Sequence, residues 1–133
     1  MKQQTNNINN IIDIQRNIEE SIVTPNDTQL INWIIYIKNF LQLEIDELNI
    51  LITNEVYIKK LNNKYRKKDK TTNILSFAYE THPLIGDLII CAKVMFEESK
   101  FYNISITEHW LHILCHGILH LQGYDHQTKK DTK

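Results

Sequence analysis

Along the chain the spacing of apolar residues switches between alternation and a three-to-four repeat, and each switch marks an element. The segment NIIDIQ, residues 10–15, alternates apolar and polar positions and predicts a strand. TPND then supplies a helix start: Thr24 can cap, Pro25 is tolerated at the first helical position, and Asp27 is favourable in the first turn. Leu30, Ile34, Ile37 and Leu41 follow at helical spacing, a stripe expected to bury against a sheet. In EIDELNILIT, Leu48, Ile50 and Ile52 return to alternation, and EVYIKKLNNKY reads as a short helix running into a basic loop. NILSFAYE and GDLIICA are two β-rich runs whose connector, THPLI, contains Pro83, so an antiparallel hairpin is expected. A helix over residues 93–100 comes next. In SITEHW, Ser105 with Glu108 three residues on forms a capping box for a last helix that should reach Leu121 and stop at Gly123.

The order β-α-β-α-β-β-α-α predicts a small single domain of α+β or α/β layers, a mixed sheet of about four strands with helices packed on it, and α+β is the class expected. A chain of 133 residues with 42% hydrophobic content is long enough to bury a core. The polar residues 1–9 are expected to fray or be disordered, the domain to span 10–126, and 127–133 to form a short tail. Neither a signal peptide nor a membrane span is supported, because the start is polar and LINWIIYIKNFL is interrupted by Asn32, Lys38 and Asn39. A cytoplasmic protein without membrane partners is the simplest reading. With three glycines in all, no glycine-rich nucleotide loop can be assembled. Cys91 and Cys115 sit in apolar contexts and read as core thiols rather than a disulfide framework. The net charge of −1 gives no global attraction for nucleic acid, but residues 59–70, KKLNNKYRKKDK, hold seven Lys/Arg against one Asp.

Chemistry concentrates near the C-terminus, where five of the six histidines fall between His109 and His126. His109, His112, His116 and His120 recur at spacings of three and four, one helical stripe, opposite an apolar face of Leu111, Leu114, Ile118 and Leu121. Histidines one turn apart can both reach a single Zn²⁺, and Gly123, able to take a positive φ, would turn His126 back toward the same point. His116, His120 and His126 are therefore the candidate ligands of one zinc ion with an open fourth position, the pattern of a catalytic site on the C-terminal helix and the turn after it. His112, also one turn from His116, is a competing ligand. His112 and His109 otherwise read as solvated surface or as hydrogen-bonding support, and His82 as solvent-facing. Asp125 either orients a ligand imidazole or caps the turn.

His-x3-His-x5-His with a glycine seven residues after the first histidine is also the spacing of a metzincin zinc protease, H-E-x-x-H-x-x-G-x-x-H, but residue 117 is Gly instead of Glu. That glutamate carries a proton to the leaving amine in peptide hydrolysis, and Gly117 cannot. A phosphodiester asks instead for an activated hydroxyl and for cations on the phosphoryl oxygens. Arg66, the only arginine besides Arg16, is the candidate catalytic cation, since a guanidinium grips phosphate through two parallel hydrogen bonds.

Three blocks, HWLHILCHGILHLQGYDH, YRKKDKTTNILSF and the IGDLIIC run, closely resemble the YbeY family of bacterial rRNA maturation factors, with its H-G-x-L-H-L-x-G-Y-D-H signature. The likeness covers residues 10–126 in order of elements, with Thr71 where the family usually has Pro. The resemblance implies a small α+β fold and a cytoplasmic, zinc-dependent, single-strand-specific endoribonuclease. Its substrate would be precursor rRNA, at the 16S 3′ end, with a further role in ribosome quality control and the small ribosomal subunit as partner. In it His116, His120 and His126 match the zinc ligands, and Arg66 matches the arginine of the R-x-K-D-K block. Two other readings compete: a zinc hydrolase acting on peptides or another substrate, using Asp87 or Asp125 as its carboxylate, and a non-catalytic rRNA-binding assembly factor whose zinc is structural.

Overall fold

The structure is a computed structural model that describes residues 11–19 and 21–123. Within them the elements follow the expected order: β1 (Ile12–Arg16), α1 (Asp27–Leu41), β2 (Ile45–Thr53), α2 (Glu55–Arg66), β3 (Ile74–Thr81), β4 (Leu84–Cys91), α3 (Ala92–Tyr102) and α4 (Ile106–Leu121). The four strands form one mixed sheet in the order β1-β2-β4-β3. β1 with β2 and β2 with β4 are parallel, while β3 and β4 form the expected antiparallel hairpin. β3 runs to Thr81 and β4 starts at Leu84, so the turn between them is only His82–Pro83.

Register sorts side chains onto two faces. Ile50, Leu88 and Ser76 are cross-strand neighbours on one face, and Leu51, Ile89 and Leu75 on the other. The first face carries the main core: Leu30, Ile34 and Ile37 of α1 and Trp110, Leu114, Ile118 and Leu121 of α4 close over Leu48, Ile50, Leu88 and Ile90. α2 covers one end of the second face, with Ile58 buried against Leu75, Ile89 and Cys91. Burial raises the Cys91 thiol pKa, which suits a core thiol; Cys115 is half-buried. No helix among the described residues is long and apolar enough to cross a membrane.

The start of α1 departs from the expectation. Asn26, not Thr24, is the N-cap, with Oδ1 accepting from Gln29 N at 2.8 Å, and Pro25 lies outside the helix. The cause is at the end of β1, where Arg16 pairs with the Asp27 carboxylate and donates to the Pro25 carbonyl. These contacts fix residues 25–27 against the strand, so the helix begins at Asp27. Leu41 is half-buried, at the end of the stripe.

α2 brings the basic loop to the edge of the sheet. Asn54 caps it, Glu55 lies in its first turn and Lys64 and Arg66 in its last, the arrangement its dipole favours. Lys67 then takes a left-handed conformation, and buried Asn62 donates from Nδ2 to the Lys70 carbonyl at 2.9 Å, tying the loop to the helix. Asn62→Ala is expected to lower stability by about 1–3 kcal/mol, because the Lys70 carbonyl loses its donor. Urea unfolding reads the loss, and limited proteolysis should show earlier cutting after Lys67, Lys68 and Lys70.

Candidate active site

α4 carries the histidine stripe, and the Ser105 half of the expected capping box forms: Ser105 Oγ accepts from Glu108 N at 3.0 Å. The helix ends at Leu121, and Gly123 takes φ +96°, the left-handed conformation expected there. Which face is buried differs in part from the expectation. Trp110, Ile113, Leu114, Gly117, Ile118 and Leu121 face the core, whereas Leu111 is exposed.

The histidines divide into two groups. His109, only 4% exposed, is not surface; its Nε2 lies 2.8 Å from Glu98 Oε1 of α3, the supporting role among the two expected for it. His112 is exposed, and His116 and His120 are half-buried. The rings of His116 and His120 are 4.2 Å apart between centroids, inclined at 55°, and His112 lies 6.4 Å from His116. Two imidazoles one turn apart on a helix, close and not solvated away, fit the donor set of a zinc site. The third expected ligand, His126, lies outside the described residues, as do Tyr124 and Asp125. Among the described residues no three His, Cys, Asp or Glu side chains form a metal-holding group.

Gly117 is a point of close packing as well as a missing carboxylate. A Cβ added there would lie 2.7 Å from Ile74 Cδ1 and 3.1 Å from Leu88 Cδ2. The helix thus runs close to the ends of the Ile74 and Leu88 side chains at this point.

The edge strand of the sheet here is β3, and Arg66 meets the histidines across it. Its Nη2 donates to the Ser76 carbonyl at 2.9 Å, and its guanidinium stands 5.5 Å from the centre of the Phe77 ring. Arg66 forms no ion pair with a carboxylate among the described residues, so most of its five N–H donors are open to a ligand. Arg66, Thr72, Asn73, Ser76, His112, His116 and His120 line one cavity of 330 Å³. Sequence reasoning placed Arg66 and the histidines in the site and missed Asn73 and Ser76, whose only signal was their place in the resembling block.

Asp87 is elsewhere. It alternates with Leu88, which faces Gly117, so its side chain is on the opposite face of the sheet, where it accepts from Asn49 Nδ2 at 3.0 Å and Tyr79 OH at 2.7 Å. Its hydrogen bond with Tyr79 raises the phenol pKa. A proton-carrying role for Asp87 beside the histidines is therefore excluded. His82 is exposed, as expected.

Known proteins share this arrangement of elements. The family model described as Endoribonuclease YbeY matches residues 10–133. Endoribonuclease YbeY of Buchnera aphidicola subsp. Acyrthosiphon pisum is 44% identical over 108 residues, 73% of this chain and 70% of its own length. The protein of the same name from Buchnera aphidicola subsp. Schizaphis graminum is 38% identical over 133 residues, 96% of this chain and 82% of its own. A solution structure from Thermotoga maritima superposes with a TM-score of 0.58 at 27% identity, covering 86% of this chain and 74% of that one. The model match across nearly the whole sequence, and relatives matched over most of their length, establish that the chain belongs to the YbeY endoribonuclease family.

Proposed function

We propose that this chain is a zinc-dependent, single-strand-specific endoribonuclease that matures the 3′ end of 16S rRNA and takes part in ribosome quality control. The observation that carries the reading is the meeting of Arg66 with His116 and His120 in one 330 Å³ cavity at the β3 edge. Family membership supports the RNA substrate. The small ribosomal subunit as partner and a cytoplasmic location follow from that same reading.

His116 and His120, with His126 from beyond the described residues, would hold one zinc ion. When bound, it supplies a Lewis acid at the scissile phosphodiester and favours ionisation of the attacking hydroxyl, whether from water or from the RNA. The remaining work falls to the protein. Arg66 grips the non-bridging phosphoryl oxygens, and its hydrogen bond to the Ser76 carbonyl and its place by the Phe77 ring hold the guanidinium before substrate arrives. Gly117 lets the helix that carries the imidazoles lie close to the Ile74 and Leu88 side chains.

Arg66→Ala is expected to reduce kcat on a single-stranded oligoribonucleotide by about a hundredfold, with KM changing less, and Arg66→Lys to recover part of the loss. Steady-state kinetics check this. A rise in KM at unchanged kcat would instead make Arg66 a docking residue of the enzyme.

A further inference from the structure

A polar chain beside the cavity, buried at its His109 end, has no task in the mechanism above. His109 Nε2 meets Glu98 Oε1 at 2.8 Å, and the same oxygen accepts from Asn73 Nδ2 at 3.1 Å. Asn73 is also held through its backbone, its carbonyl accepting from Cys91 N at 2.9 Å. Burying the imidazole of His109 is costly unless it is hydrogen-bonded, and Glu98, whose side chain is still 30% exposed, supplies the partner. What the pair secures is the Asn73 side chain, which lies in the cavity wall beside Thr72, Ile74 and His112.

With its nitrogen committed to Glu98, the Asn73 amide has a fixed orientation, and its Oδ1 accepts no hydrogen bond among the described residues. It is a dedicated acceptor, whereas Arg66 only donates and the Thr72 and Ser76 hydroxyls do either. The phosphate of a nucleic acid offers acceptors alone. Near phosphorus the backbone has one donor, the ribose 2′-hydroxyl, and only RNA has it. We propose that Asn73 reads the ribose: its Oδ1 accepts from the 2′-hydroxyl of the nucleotide seated in the cavity. Glu98, backed by His109, is the positioning pair that keeps the amide so turned. The assignment rests on RNA occupying this cavity and adds how the site tells RNA from DNA.

Fluorescence anisotropy tests it with the full zinc-loaded chain, titrated on ice with a labelled single-stranded RNA and the DNA of matching sequence, gels confirming that the probes stay intact. Asn73→Ala is expected to weaken RNA binding about three- to tenfold, the worth of one hydrogen bond, and to leave DNA binding unchanged. Glu98→Ala should give a smaller loss of the same kind. An equal loss for both nucleic acids, or no loss for either, overturns the proposal. A second measurement needs no variant: single 2′-deoxy or 2′-O-methyl substitutions scanned along the RNA should each cost the same three- to tenfold at one position, since both remove the donor. The absence of any such position overturns the proposal with the wild-type protein alone. If wild type binds no RNA, the endoribonuclease reading falls with it; if RNA binds without donor dependence, only the role of Asn73 falls.

Discussion

His116→Ala is expected to abolish metal retention and lower cleavage of single-stranded RNA by more than about a thousandfold, since a lost Lewis acid is worth several kcal/mol in the transition state. The substitution should leave the fold intact, because the imidazole is half-buried in the cavity and the apolar neighbours of the helix, Trp110, Leu114 and Ile118, do the packing. His112→Ala is the control. It lies in the same cavity on the far side of His116 from His120, and its loss should leave bound zinc at the wild-type level. Elemental analysis beside the kinetics distinguishes the two histidines, and circular dichroism checks that both variants fold. Zinc lost from His112→Ala and kept by His116→Ala would reassign the ligand set.

Gly117→Glu, the change that would restore the protease motif, is expected to destabilise the protein severely and to create no peptidase. The first carbon of the new side chain would stand 2.7 Å from Ile74 Cδ1, a contact that overpacking data put at about 1–3 kcal/mol. A carboxylate brought into this buried position, beside Ile74 and Leu88, also loses hydration and adds to the cost. The sum is a large share of the roughly 5–15 kcal/mol that holds a domain together, so the melting temperature should fall by about 10 °C or more. Gly117→Ala carries the steric part alone and should show the smaller loss. Differential scanning calorimetry decides it. A Gly117→Glu protein that melts with wild type would mean that this helix face is not pressed on the sheet.

How much of this was legible beforehand depended on the range of the interactions. Element order follows from local spacing, and so do the cap at Ser105 and the left-handed Gly123, because each rests on residues within one turn. The cap of α1 was missed by two residues, since TPND holds several capping side chains and the choice was made by Arg16 from another element. Leu111 was assigned to the core face because helical spacing gives the stripe but not the angle at which the sheet meets it. His116 and His120 could be read from one helix and Arg66 from the resembling block; the path by which they share a cavity could not, because it depends on β3 being an edge strand. The meaning of Gly117 was half visible: its lack of a carboxylate is a fact of sequence, its close approach to Ile74 a fact of packing. Asp87, a plausible carboxylate by composition, was removed by the alternation of a single strand.

Under the proposed function the histidine site holds a metal on which RNA cleavage depends. The most direct test is cleavage of a single-stranded oligoribonucleotide by wild-type protein stripped with a chelator and then given back zinc. Cleavage should vanish on stripping and return as zinc approaches one equivalent, with no recovery in His116→Ala. Undiminished cleavage by the stripped protein, with metal analysis verifying the loss, would contradict the account.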